Sequence, residues 1–219
     1  MVLYHGSERV IKRPFYGGGH YHNDYGRGFY CTENPEMAKE WACRGSKTAF
    51  INKYELNVSG LKVLNLSDPS FSILNWLAIL LENRIFDLKS PVAISGKEAL
   101  LKEYLPAYKD YDVIIGYRAD DSYFSFANDF INNSLPIEKL SRAMRLGNLG
   151  EQVVIKSPKA FDNLRFLGSE PVDTTLYGLK RQTRDDEARQ SYKQITTEGM
   201  KPDDQFLLDI LRIKTKKYD

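Results

Sequence analysis

The chain has 219 residues, enough for one domain with a substantial core, and 27% of them are charged. Its aromatic content of 12% argues against a disordered chain, and its formal net charge of +2 indicates no particular class of partner. The two cysteines, Cys31 and Cys43, indicate buried, reduced thiols in a cytosolic protein rather than a disulfide framework.

No segment of the sequence is typical of a leader or of a membrane span. Val2-Leu3-Tyr4 is too short an apolar run for a signal peptide, and the stretch from Trp76 to Leu81 is too short to cross a bilayer. We therefore expect a cytoplasmic location, or delivery as an effector without a classical signal peptide. No membrane partner is expected.

The N-terminal half predicts short strands separated by a loop and by helices. Strands are predicted at residues 2–6, 28–32, 49–58 and 61–66, with an amphipathic helix at 72–83. Residues 14–28 contain three consecutive glycines and predict a loop. Asn34 is expected to cap a helix that begins at Pro35. The apolar face of that helix carries Met37, Ala38, Trp41 and Ala42.

The C-terminal half predicts further strands and then helices alone. Strands are predicted at 110–116, 151–156 and 164–167, and helices at 122–132, 136–146, 158–163, 183–195 and 202–214. We expect an α+β fold in two parts, a domain over residues 1–170 and a helical C-terminal extension over 171–219. No glycine-rich loop joins a strand to a helix, which argues against a Rossmann site and a Walker loop.

The N-terminal residues can form a pocket for a flat ring attached to a ribose. His5 ends a strand, and Gly6 after it would let a ligand approach the backbone closely. The His5 imidazole and the Ser7 hydroxyl can each bind a ribose hydroxyl. Tyr30 and Trp41 lie on a strand and on the following helix, where they can enclose a planar ring.

These residues occur in a recognisable order. Leu3-Tyr4-His5-Gly6-Ser7, then Gly26-Arg27-Gly28-Phe29-Tyr30-Cys31, then the helix with Trp41, resemble the first two motifs of the diphtheria-toxin-like ADP-ribosyltransferases. That superfamily includes the poly(ADP-ribose) polymerases. The resemblance covers about residues 2–170, and it implies a split β-sheet core with flanking helices and NAD as substrate.

In that superfamily the histidine binds the adenosine ribose, the glycine backbone holds the nicotinamide amide, and the aromatic residues cover the two faces of the nicotinamide ring. The resemblance gives NAD-binding roles to six residues of this chain: His5, Gly6, Ser7, Gly28, Tyr30 and Trp41. Ala38 stands where the polymerases have a serine that bonds the carboxamide, so this contact is missing.

The third motif of the superfamily begins a strand with a glutamate that bonds the 2′-hydroxyl of the nicotinamide ribose. The matching segment here runs from Gln152 to Phe161, so a glutamine replaces the catalytic glutamate. Neighbouring strand residues point to opposite faces, and Glu151 cannot take this role without a bulge. The resemblance implies catalytic roles for His5, Tyr30 and Gln152.

The chain resembles most a bacterial group of that superfamily with a glutamine at this place and no assigned function, of which the run from Tyr111 to Asp121 is typical. We expect an enzyme that transfers ADP-ribose from NAD to a protein or nucleic acid, as a toxin, effector or defence protein. An antitoxin or another protein is a possible partner. Gly150 stands where arginine-modifying members have an acidic residue, which argues against an arginine acceptor.

Two alternatives remain open. A neutral amide supplies no charge to a developing cation, so the chain can be an NAD-binding pseudoenzyme. It can also be an NAD glycohydrolase, in which water is the acceptor.

Other charged and polar residues give weaker indications. Arg27, Arg44 and Arg118 are candidates for binding the NAD pyrophosphate. Asp120 and Asp121 either cap a helix or bind a ligand. The loop over residues 15–25 is expected to fold over the adenine side of NAD or to be partly mobile. No metal site is expected, since two histidines in this loop have no third ligand nearby.

Overall fold

The computed structural model describes residues 1–45, 48–119, 121–146 and 150–215. Within these residues it has two β-sheets and eight α-helices, which confirms the expected α+β class. The strands are β1 (Val2–Ser7), β2 (Phe29–Cys31), β3 (Phe50–Leu56), β4 (Val63–Asn65), β5 (Val113–Tyr117), β6 (Glu151–Ile155) and β7 (Leu164–Pro171). The helices are α1 (Pro35–Ala42), α2 (Ile73–Asn83), α3 (Pro91–Tyr104), α4 (Asp121–Ile131), α5 (Ile137–Ala143), α6 (Pro158–Asp162), α7 (Thr174–Thr197) and α8 (Leu207–Thr215).

The two sheets meet beside the N-terminal strand. The first has the order β1-β3-β7 and is antiparallel throughout, while the second has the order β2-β6-β5-β4 with only β4 and β5 parallel. Tyr4 and Thr32 join the sheets through two backbone hydrogen bonds of 2.8 and 2.9 Å. This bridge places the middle of β1 beside the end of β2.

Helix α1 lies directly on β1. The Asn34 side chain accepts hydrogen bonds from the backbone N–H groups of Glu36 and Met37, so the predicted cap is confirmed. At Gly6 a Cβ atom would overlap the carbonyl oxygen of Ala38 and would lie 2.7 Å from the backbone nitrogen of Ala42. Only glycine allows the helix to approach the strand so closely.

The main core surrounds α2. All residues from Trp76 to Leu81 are buried, so the helix is apolar on every side rather than amphipathic as predicted. The reason is that α2 packs against α3. It also belongs to an apolar cluster that includes residues of the second sheet and of α4. Helix α3 was not predicted from the sequence, although Ser90 caps it and Pro91 begins it in the usual manner.

The C-terminal helices pack into this same core. The rings of Tyr192 on α7 and Phe126 on α4 stack with their centroids 3.7 Å apart. Leu207 on α8 contacts Gly96 on α3 so closely that a Cβ there would overlap its side chain. Helix α7 begins at Thr174, earlier than predicted, because the Asp173 side chain caps it. No helix in the described part of the chain has both the length and the apolar character that a bilayer span requires.

Candidate functional site

A cavity of about 730 Å³ opens where the ends of β1 and β2 meet the start of β6. The loop between β1 and β2 forms much of its wall. The lining includes every residue to which the resemblance assigns an NAD-binding or catalytic role: His5, Gly6, Ser7, Gly28, Tyr30, Trp41 and Gln152. Residues that are far apart in sequence are therefore brought to one concave site.

His5 is held in a defined tautomer. Its Nδ1 atom lies 2.7 Å from the carbonyl oxygen of Tyr30. Because a carbonyl oxygen only accepts, Nδ1 carries the proton in the neutral ring, and Nε2 is then the acceptor. Burial lowers the pKa of His5 and so favours this neutral form. The imidazole also packs against the Phe29 ring at a centroid distance of 4.4 Å.

Tyr30 can offer a ligand its ring but not its hydroxyl. The hydroxyl donates a 2.6 Å hydrogen bond to the carbonyl oxygen of Gly26 and accepts one of 3.1 Å from the backbone N–H of Tyr25. Burial raises the pKa of Tyr30 well above its ordinary value. The side chain is thus suited to stacking and unsuited to proton transfer.

Trp41 carries a cation on one face. The guanidinium carbon of Arg118, which is buried, lies 4.2 Å from the centroid of the Trp41 ring system. This distance is typical of a cation–π interaction. Among the described residues, the buried indole N–H of Trp41 has no hydrogen-bond partner. A planar ligand can therefore use only the other face of this side chain.

Gly6 and Ser7, which are predicted to bind NAD, also have structural roles. Gly6 provides the close contact between β1 and α1 described above. The Ser7 hydroxyl donates to the carbonyl oxygen of Arg9 at 2.7 Å and accepts from the fully buried Asn52 amide at 3.0 Å. These bonds fix the start of the loop between β1 and β2, so the Ser7 hydroxyl is already in use.

Gln152 has its amide group fixed by two acceptors. Its Nε2 atom donates to Oδ2 of Asp24 at 2.9 Å and to the carbonyl oxygen of Tyr117 at 3.0 Å. Neither acceptor can donate when Asp24 is ionised, so the nitrogen must face them and Oε1 must point elsewhere. The amide oxygen of this cavity residue is therefore the atom available to a ligand.

Glu151 points to the other face of β6. Its side chain is exposed and hydrogen-bonds the hydroxyl of Ser67, and it does not line the cavity. Strands β5 and β6 pair in continuous register, with Gly116 opposite Gln152, so β6 has no bulge at this position. The expectation that Glu151 cannot replace Gln152 is thus consistent with the geometry.

Asp24 is a site residue that was not predicted from the sequence. The residue is only 4% exposed, and it lines the cavity. In addition to the hydrogen bond from Gln152, the Asp24 carboxylate accepts one from the Arg84 guanidinium at 2.9 Å and one from the backbone N–H of Ala119 at 2.8 Å. Burial raises the pKa of Asp24, while these three donors oppose that shift.

The cavity carries an excess of positive charge. Its lining holds six basic side chains and two acidic ones: Arg9, Lys12, Arg13, Arg44, Arg84, Arg118, Glu8 and Asp24. The difference, six minus two, exceeds the net charge of +2 for the whole chain. Of the three arginines predicted to bind pyrophosphate, Arg44 and Arg118 line the cavity, whereas Arg27 stacks on Tyr21 outside it.

The remaining sequence predictions concern the pair Asp120 and Asp121 and the question of a metal site. Asp120 lies outside the described residues, and Asp121 begins α4. Within the described ranges no three potential metal ligands lie together.

The comparison with known proteins gives one match. A family model described as "Protein of unknown function (DUF3990)" matches residues 1–166. No curated protein and no solved structure matches the chain. The matched residues include the whole cavity lining and end within β7. The chain therefore belongs to the DUF3990 family.

Proposed function

We propose that the protein is an NAD-dependent ADP-ribosyltransferase with a split-sheet core of the ADP-ribosyltransferase type, and that its acceptor is a macromolecule. The observation that carries this proposal is the convergence of His5, Tyr30, Trp41 and Gln152 on one cationic cavity. These are the residues to which the resemblance gives the NAD-binding and catalytic roles.

The cavity fits the parts of an NAD molecule. Its volume of about 730 Å³ lies in the range typical of small-molecule sites. The Tyr30 ring and the Trp41 side chain, which both line the cavity, suit the nicotinamide ring. The Nε2 atom of His5 and the Oε1 atom of Gln152 are acceptors for ribose hydroxyls, and Arg44 and Arg118 suit the pyrophosphate.

The reaction balances without a further reactant. The C–N bond between nicotinamide and ribose breaks, and nicotinamide leaves as a neutral molecule with both bonding electrons. An oxygen or nitrogen lone pair of the acceptor forms the new bond to the ribose carbon, and the acceptor releases its proton to water. Gln152 would accept a hydrogen bond from the 2′-hydroxyl as positive charge develops on the ribose.

Asp24 supplies the negative charge that Gln152 lacks. Its carboxylate lies 2.9 Å behind the amide nitrogen, where it polarises the amide and makes Oε1 a stronger acceptor. The Arg84 guanidinium, 2.9 Å from the same carboxylate, offsets part of this charge. We expect a slower transfer than with a carboxylate in direct contact with the ribose, since the charge lies one side chain further away.

A glutamine in place of the catalytic glutamate is also compatible with two other functions, NAD binding without catalysis and NAD hydrolysis. A site that binds NAD and stabilises a cation weakly is also consistent with an NAD-binding module without catalysis, or with a slow NAD glycohydrolase. The three differ in their products. A transferase gives nicotinamide and a labelled macromolecule, a glycohydrolase gives nicotinamide and free ADP-ribose, and a binding module gives neither.

The direct test uses NAD labelled on its adenylate phosphate. The purified protein is incubated with this NAD and a cell lysate, and nicotinamide, free ADP-ribose and labelled macromolecules are measured. The transferase proposal predicts labelled macromolecules that are lost in Gln152→Ala and retained in Glu151→Ala. Glu151 is a matched control, since it lies on the same strand and faces away from the cavity. Label transfer by Gln152→Ala at the wild-type rate would contradict the proposed role of this residue.

A further inference from the structure

The segment between β1 and β2, residues 8–28, is called the rim loop here. It contains no helix or strand, and fourteen of its residues line the cavity, among them Arg9, Lys12, Arg13 and Phe15. Loops of this length without regular structure are uncommon in compact domains, and they often have a binding function. The rim loop is anchored by buried groups, since Asn52 and Tyr54 hydrogen-bond the backbone of Ile11.

Exposed aromatic rings are concentrated in the rim loop. Phe15, Tyr16 and Tyr21 are 70%, 60% and 64% exposed. Every other phenylalanine, tyrosine and tryptophan in the described parts of the chain is buried or half-buried. Phe15 lines the cavity, whereas Tyr16 and Tyr21 lie in the same loop outside the lining. Exposed aromatic rings are unfavourable in water, and a concentration of them often marks an interaction site. An acceptor that reaches the cavity over this loop would meet the Phe15 ring.

Cations accompany these rings. Arg9, Lys12 and Arg13 are exposed and line the cavity, and the guanidinium of Arg27 lies 3.9 Å from the centroid of the Tyr21 ring. Glu8 is the acidic residue of the loop that is exposed, since Asp24 is buried and paired with Arg84. The NAD pyrophosphate would need only part of this positive charge, and the cations at the entrance remain for another anion.

We propose that the rim loop binds single-stranded nucleic acid, and that such a strand is the acceptor of the ADP-ribose. This inference rests on the proposed transferase function. Exposed rings stack on unpaired bases, and the neighbouring cations bind the phosphates, which is the usual combination in single-strand binding sites. An acidic protein surface would use the cations but not the rings, and a duplex would not offer its base faces.

In the covalent step, ADP-ribose passes from nicotinamide to the bound strand. A base nitrogen or a hydroxyl or phosphate oxygen of the strand forms the bond to the ribose carbon. The nicotinamide leaves with the electrons of the broken C–N bond, and any proton on the attacking atom passes to water.

The test measures strand binding without NAD. Fluorescein-labelled single-stranded RNA, single-stranded DNA and a duplex of the same length are titrated with the full chain, and fluorescence anisotropy is recorded at several salt concentrations. We expect binding of a single strand in preference to the duplex, weakening as salt rises. Phe15→Ala combined with Tyr16→Ala should reduce the affinity by about thirtyfold or more, since two stacked bases are lost. Lys12→Gln combined with Arg13→Gln should reduce the salt slope by about 1.4, at ~0.7 for each cation.

A matched control removes exposed apolar side chains elsewhere. Leu176 and Leu179 on α7 are 46% and 64% exposed and lie outside the cavity. Leu176→Ala combined with Leu179→Ala should bind the strand as the wild type does. Equal loss in this control, equal binding of duplex and single strand, or no strand binding at low salt would overturn the inference.

The outcome is separate from that of the proposed function. Nicotinamide release with label only on protein would overturn the nucleic-acid acceptor and leave the transferase intact. Strand binding by a chain that does not bind NAD would overturn the transferase itself, and with it the acceptor role. Label on the RNA or DNA probe, lost in the Phe15 and Tyr16 variant, would support both.

Discussion

The amide of Gln152 lies 2.9 Å from the carboxylate of Asp24, with the second amide N–H on the carbonyl oxygen of Tyr117 at 3.0 Å. Both residues are only 4% exposed. An amide satisfies this environment because it has two donors on one atom. A carboxylate at position 152 would face two acceptors instead. The glutamine is therefore required by its surroundings in this fold.

The first prediction concerns Gln152→Glu. The new carboxylate would lie against the Asp24 carboxylate and the Tyr117 carbonyl oxygen, so we expect the free energy of unfolding at pH 7 to fall by about 2 to 3 kcal/mol. One of the two carboxyl groups should also titrate at a raised pKa. Urea denaturation of wild type and variant between about pH 5 and 8 measures both effects. Unchanged stability would show that Gln152 is not held as described.

The second prediction concerns the paired change. In Gln152→Glu combined with Asp24→Asn, an amide donor again faces a carboxylate, with the two positions exchanged. We expect this double variant to recover part of the stability lost in Gln152→Glu and to release nicotinamide faster than the wild type, since the charge now contacts the ribose. Nicotinamide release is measured by chromatography. A double variant that is no more stable than Gln152→Glu would argue against coupling between the two positions.

The third prediction separates the ring of Tyr30 from its hydroxyl. Tyr30→Phe removes the bonds to Gly26 and Tyr25 and should reduce the free energy of unfolding by about 1 to 3 kcal/mol. NAD affinity should change little at a temperature where the variant is folded, because the stacking ring remains. Tyr30→Leu should lose NAD affinity as well. Calorimetry with NAD checks this, and equal affinity in both variants would exclude stacking on Tyr30.

The fourth prediction uses two glycines with opposite surroundings. Gly6→Ala should destabilise the protein by about 3 kcal/mol, because the new methyl group overlaps the backbone of α1. Gly178 lies within α7, and among the described residues no group outside the neighbouring helix backbone comes within 4 Å of the position that a Cβ atom would take. Gly178→Ala should therefore add up to about 1 kcal/mol. Thermal unfolding gives both values. A mild effect at Gly6 would mean that α1 lies further from β1.

The fifth prediction concerns pH. Burial lowers the pKa of His5 below its ordinary value of 6.5, so the unfolded chain binds a proton more readily than the folded chain. Stability from the neutral His5 is present above pH 6.5 and is lost as the pH falls below it. Denaturation curves for wild type and His5→Asn should differ in this window. Wild-type and His5→Asn curves that keep the same separation across this window would contradict the role given to His5.

A large part of the candidate site could be predicted from the sequence, because its residues belong to short motifs that occur in a recognisable order along the chain. His5, Tyr30 and Gln152 belong to short strands with clear patterns, and the fold brings all three to one cavity. The cap at Asn34 was also predicted, since capping depends on neighbouring residues alone.

Asp24 could not be predicted in the same way. It lies in a loop without a periodic pattern, and its three partners are 60, 95 and 128 positions away. Long-range pairing of this kind has no local signal in the sequence. By contrast, the signals for α3 and for the true start of α7 were present at Ser90 and Asp173.

The most direct measurement is the structure of the chain crystallised with a non-cleavable NAD analogue. We expect the analogue in the cavity, with its nicotinamide ring against Tyr30 and its ribose hydroxyl oxygen about 2.5 to 3.0 Å from Oε1 of Gln152. Asp24 should remain bonded to the amide nitrogen. An analogue bound elsewhere, or one whose ribose contacts Glu151 in place of Gln152, would contradict the account.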